Sequence, residues 1–94
     1  MERDLRRIQQ EYGEDDAGRE TAVNTFTKYS SNGKVLNERE FEHALKEMGR
    51  IYGIRLNMGK IMRELEEELD EYPNCSKFYE ILCYLSANIS SYSV

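Results

Sequence analysis

Oxygen donors recur at alternate positions in two stretches of this chain, and such alternation is what a hard divalent cation asks of a loop. In the second stretch, registered between Leu65 and Phe78, Glu66, Glu68 and Asp70 stand at the first, third and fifth places. A calcium loop of this kind also needs a glycine at its sixth place for a sharp turn and a bidentate glutamate at its twelfth. Here the sixth place holds Glu71, the eighth Pro73 and the twelfth Lys77. An ammonium cannot supply two carboxylate oxygens, and proline lacks the N–H that would tie paired loops together. The expectation is a degenerate second loop that holds no metal. The run from Glu64 to Glu71 reads as well as the solvated acidic face of a helix one turn longer.

The first stretch runs from Phe26 to Phe41. Ser30, Ser31 and Asn32 offer hydroxyl and amide oxygens without charge, and Glu40 stands in the place of the bidentate ligand. The leading expectation is no cofactor. The alternative is weak calcium binding by Ser30, Asn32 and Glu40, completed by backbone carbonyls. Catalysis finds no footing: there is one histidine, His43, with no second histidine or neighbouring cysteine at ligand spacing, no glycine-rich phosphate loop and no nucleophile beside a base. Cys75 and Cys83, if both lie on one helix, are separated by roughly 12 Å along its axis. Free thiols are therefore expected.

These residues need helices to hold them. Leu5, Ile8 and Tyr12 have helical spacing, but Gly13, Glu14, Asp15, Asp16 and Gly18 break it, so residues 1–18 form a leader, either disordered, a short helix, or an arm that docks elsewhere. A first helix spans Arg19 to Tyr29, with Ala22, Val23, Phe26 and Tyr29 on one side. Val35 and Leu36 make a short extended piece. Asn37 caps a second helix, with Glu40 closing a capping box and Gly49 ending it. A third helix begins at Asn57 or Met58 and is stopped by Pro73. Asn74 or Ser76 caps a fourth, and residues 90–94 are a loose tail.

Ninety-four residues with 39% hydrophobic and 33% charged content make one small domain with a solvated surface. The predicted class is all-α, a four-helix pair of EF-hand-like helix-loop-helix units with short inter-loop strands, the units spanning 19–49 and 57–89 of a domain over 19–89. A net charge of -5 disfavours nucleic acid as a partner. No apolar run is long enough for membrane insertion, and Met1-Glu2-Arg3-Asp4 opens no signal peptide, so the expected location is cytoplasmic.

Phe26-Thr27-Lys28-Tyr29-Ser30, Leu36-Asn37-Glu38-Arg39-Glu40-Phe41 and Lys60-Ile61-Met62-Arg63-Glu64-Leu65 together resemble the calcyclin and calgranulin family of small EF-hand proteins, over roughly residues 19–89. The short span from Phe26 to Leu36 is most similar to a calcium-insensitive light-chain member of that family. The linker from Leu36 to Glu66 is closer in length to that of a calmodulin, troponin or myosin light-chain lobe. The resemblance implies a two-EF-hand fold and a hydrophobic groove for an amphipathic target helix. It also implies a homodimer through the first and last helices, although Arg19 to Tyr29 is more polar than a strong dimer interface requires.

The groove candidates are Tyr52, Ile54, Met58 and Met62, with Ile81, Leu85 and Ile89 from the chain's last third. Phe41, Leu45, Ile61, Leu65, Phe78 and Leu82 are expected to be core. The functional expectation is an adaptor or light-chain-like subunit that binds an amphipathic helix of a larger protein, with calcium binding lost.

Overall fold

A computed structural model describes residues 16–94; residues 1–15, most of the expected leader, lie outside the described residues. The fold is all-α. Its helices are α1 (Asp16–Tyr29), α2 (Glu38–Tyr52), α3 (Met58–Glu68), α4 (Cys75–Ala87) and a single closing turn, α5 (Ile89–Tyr92). The first begins three residues before the expected Arg19, and α1 packs on both α2 and α4, while α3 packs on α2 and α5.

The core forms where the apolar stripes of the helices converge. Phe78 of α4 is fully buried, with its ring 6.2 Å from Phe26 of α1 and 6.1 Å, edge-on, from Phe41 of α2. Leu36, Leu45, Ile61 and Ile81 are the other large side chains that are fully buried. Three helix-bearing segments thus meet at one aromatic ring, an arrangement whose edge and tilted contacts add to plain burial. Of the residues expected in the core, Leu82 alone is only half-buried.

Local chemistry starts the helices where the sequence places them. The Asn37 side chain accepts from the Glu40 N–H at 2.8 Å and the Glu40 carboxylate accepts from the Asn37 N–H at 2.9 Å, a complete capping box. Asn57 and Asn74 accept from the N–H groups of Lys60 and Lys77, three residues on in each case. Helix ends depart further from expectation. Gly49 does not stop α2, which runs on to Tyr52 and closes at Gly53 in the left-handed conformation (φ 68°). Gly49 is instead a point of close approach: its carbonyl accepts from the Ile54 N–H at 2.8 Å, and a Cβ there would lie 2.7 Å from the Ile54 carbonyl oxygen. Pro73 does not set the end of α3 either, since the helix closes at Glu68.

The expected inter-loop strands are replaced by one hydrogen bond, Leu36 N–H to the Pro73 carbonyl at 3.0 Å. Proline has no N–H to return the bond, so the contact runs one way and no β ladder grows from it. The pairing of strand type lies elsewhere, at an isolated antiparallel bridge between Leu56 and Ser93. That bridge corrects the expectation of a loose tail at 90–94. The Val94 N–H reaches the Arg55 carbonyl at 2.8 Å, the Asn57 N–H reaches the Tyr92 carbonyl at 2.7 Å, and the Tyr92 hydroxyl donates to Glu64 at 2.5 Å. Tyr92 is buried, and its burial, then its bond to Glu64, push the phenol far above its ordinary pKa of 10.0.

Candidate functional site

The loop after α1 is organised by its own side chains. Ser30 donates its hydroxyl proton to the Val35 carbonyl at 2.7 Å and accepts from the Gly33 N–H at 3.0 Å. Asn32 Oδ1 accepts from the N–H groups of Lys34 at 2.8 Å and Val35 at 3.0 Å, an Asx-type turn. Glu40 reaches back across the loop: one oxygen accepts from Asn37 N–H and the other from Ser31 N–H at 3.0 Å. Those donors, Asn37 first and Ser31 second, hold the Glu40 carboxyl below its ordinary pKa of 4.5.

The three residues considered as calcium ligands therefore come together, but as acceptors for the loop's own N–H groups. Both Glu40 oxygens and the Asn32 oxygen point at backbone donors, and Glu40 is the sole carboxylate among the three. This donor set fits a hydrogen-bonded turn and does not fit a hard dication, which needs several anionic oxygens turned inward.

The second loop is built differently. Glu66 and Glu68 belong to α3 itself and are exposed there, so they are not loop residues at all; this corrects their place in the loop register. α3 carries Glu64, Glu66, Glu67 and Glu68 but closes at Glu68, so the acidic helix stops short of the expected Glu71. Asp70 is exposed, and Lys77 sits in the first turn of α4 with its ammonium 3.4 Å from Glu80. Among the described residues no three His, Cys, Asp or Glu side chains gather in a metal-holding group. Cys75 and Cys83 are free thiols, half-buried and buried, and desolvation raises the Cys75 pKa. His43 is exposed on α2, its ring stacked with Tyr29 at 6.2 Å.

Away from the loops lies an apolar groove of about 320 Å³. Its walls are Met48 and Tyr52 of α2, Ile54 and Leu56 of the linker, Tyr79, Leu82, Cys83 and Leu85 of α4, and Ile89 of α5, with Gly18 of α1 at one end. Tyr52 is 55% exposed, an aromatic held in solvent at the groove's rim. Arg19 lays its guanidinium 5.1 Å from the centre of the Tyr79 ring beside it.

Four of the seven expected groove residues, Tyr52, Ile54, Leu85 and Ile89, line this groove together. Ile81 does not: it is fully buried in the core, three residues after Phe78 and so on the same side of α4. Met62 lines a separate hollow of about 360 Å³ between the two loops, and Met58 a third beside Arg50 and Arg55. Leu56, Tyr79 and Cys83 line the groove outside the expected set, and so does Leu82, expected in the core. Tyr79, Leu82, Cys83 and Ser86 form a second stripe at helical spacing beside the Phe78, Ile81 and Leu85 stripe, and that doubled pattern was the available signal.

Comparisons with protein-family models, with curated proteins and with solved structures find no match to this chain.

Proposed function

We propose that this chain is a non-enzymatic adaptor of the EF-hand type that binds an amphipathic helix of a larger protein in the groove between α2, the linker, α4 and α5, without need of calcium. The observation that carries the reading is the groove itself: a continuous apolar wall, flexible Met48 within it and Tyr52 exposed at its rim, dimensioned for side chains of a docked helix rather than for polar substrate. Two further features support it. The succession of helix, loop and helix on either side of the linker, with a Leu36 N–H to Pro73 carbonyl bond between the loops, is compatible with an EF-hand pair. The Glu40 staple closes the first loop with protein donors in the place of a metal, so the groove needs no ion to open.

A cytoplasmic setting is part of the proposal, supported by two free thiols. Among the described residues no helix is long and apolar enough to cross a membrane.

Titration with amphipathic helical peptides tests the reading. Amide shifts are expected at Tyr52, Ile54, Leu82 and Ile89, with equal affinity in calcium and in chelator. Affinity that depends on calcium, or calcium-induced shifts over residues 30–40 that Glu40→Gln abolishes, would favour the weak-sensor alternative instead.

A further inference from the structure

The apolar groove continues into a neighbouring hollow with a charged lining. Gly49, Ile54 and Leu56 line both the groove and this hollow of about 470 Å³, so the two form one trough across the linker. The charged side chains of the second part are Lys46 and Arg50 of α2 and Arg55 of the linker, all exposed, and no Asp or Glu lines either part. These charges are only partly answered within the protein. Lys46 has Glu42 at 3.4 Å on an open helix face. Arg50 lies 3.9 Å from Glu47, whose carboxylate already takes the Lys28 ammonium at 2.5 Å. Arg55 has no ion pair among the described residues. Its backbone is nonetheless anchored, since the Val94 N–H bonds its carbonyl at 2.8 Å and Leu56, next to it, bridges to Ser93.

This patch runs against the charge of the whole. A chain of net charge -5 draws cationic partners at long range. Its acids gather elsewhere: Glu38, Glu66, Asp70 and Glu71 line the hollow between the loops, with no Lys or Arg in that lining.

We propose that the helix received by this trough is acidic along one edge: its apolar face fills the groove between α2 and α4, and its Glu or Asp side chains meet Lys46, Arg50 and Arg55. The inference rests on the adaptor reading for the groove and adds the chemistry of the partner. Arginine suits such a contact because its fork can give a carboxylate two parallel N–H donors. An anionic bilayer is the less favoured occupant, because the net charge of -5 opposes an extended anionic surface. A helix edge instead brings its carboxylates to the three cations within the Debye length of about 8 Å.

The test uses the full chain and two synthetic peptides with the same leucine stripe at helical spacing, one flanked by glutamate and the other by lysine. Amide shifts are expected at Tyr52, Ile54 and Leu82 with both. Those of Lys46, Arg50 and Arg55 follow with the glutamate peptide, which binds about tenfold tighter. An exposed ion pair is worth a factor of about two in affinity, so three contacts give that ratio. Arg50→Gln with Arg55→Gln cuts the preference to about twofold, the one contact that remains. Lys34→Gln with Arg39→Gln, an equal loss of charge at exposed residues outside the trough, leaves it unchanged. The Phe26 and Phe78 amides stay fixed in both variants, which reports an intact core.

Equal affinity for the two peptides, a tighter lysine peptide, or a preference that survives Arg50→Gln with Arg55→Gln in full would overturn the inference and leave the groove reading standing. Shifts at Arg50 and Arg55 with phosphatidylserine vesicles and with neither peptide would overturn it in favour of a membrane. Absence of groove shifts with both peptides would sink the adaptor reading and this inference with it.

Discussion

The two loops of this protein invert the relation between acidic residues and order. The second connection is preceded by a run of carboxylates, yet Glu66, Glu68 and Asp70 are exposed, and Asn74 caps α4 in place of any acid. The first has the single glutamate of interest, and that side chain joins Ser31 to Asn37 across the turn. What organises a loop is where its donors and acceptors meet. Glu40 is three residues past a cap position and so can reach two backbone N–H groups, whereas Glu66 and Glu68 are exposed on a regular helix whose N–H groups are already satisfied.

The largest effect tests what the loops share. Phe78→Ala removes the ring on which Phe26 and Phe41 both pack, and a loss of about 3–5 kcal/mol in chemical denaturation is expected. If the cost is below about 1 kcal/mol, the two units do not share a core. Next, Asn32→Ala deprives Lys34 and Val35 N–H of their acceptor and should cost about 1–2 kcal/mol, with faster amide exchange confined to residues 33–35. Asn74→Ala removes the corresponding acceptor at the second loop, the N-cap of α4, and should cost about 1 kcal/mol. A clearly larger loss there would erase the asymmetry between the loops.

Acid titration sharpens the contrast. The Glu40 carboxyl is held below its ordinary value, so its stabilising contribution is fully present above that value and is lost as pH falls through the depressed one. The Tm of the wild type should exceed that of Glu40→Gln at about pH 6, and the two should converge towards about pH 3. A difference that persists unchanged in acid would mean that the staple does not depend on charge. The smallest effect belongs to the second loop: Asp70→Asn should stay within about 0.5 kcal/mol, as a solvated surface acid does.

The helix starts were legible because their chemistry is short-ranged. Asn37 with Glu40, and Asn74 before Pro73's successor helix, are decided by side chains three residues from the N–H they cap. The buried stripe of Phe41, Leu45, Ile61, Leu65 and Phe78 was legible for the same reason, since helical period alone aligns it. The helix ends were less so. Gly49 and Gly53 are both plausible stops by composition, and only the approach of Ile54 to Gly49 separates their roles. In the groove, Ile81 and Leu82 are sequence neighbours of like character, yet one is sealed and the other lines an open wall. One residue is a rotation of about 100° on a helix, and which side meets solvent depends on where α1 and α2 lie.

By itself, then, the sequence determined an all-α chain, the residues that start its helices and its principal core, because each rests on intervals of three or four residues. The tertiary structure alone decided that the second Glu40 oxygen takes the Ser31 N–H, that Tyr92 docks on Glu64 with Ser93 beside Leu56, and that Tyr52, Ile54, Leu85 and Ile89 share one groove. Most of these contacts join residues far apart along the chain, and their formation depends on the packing of whole helices, which no local pattern encodes.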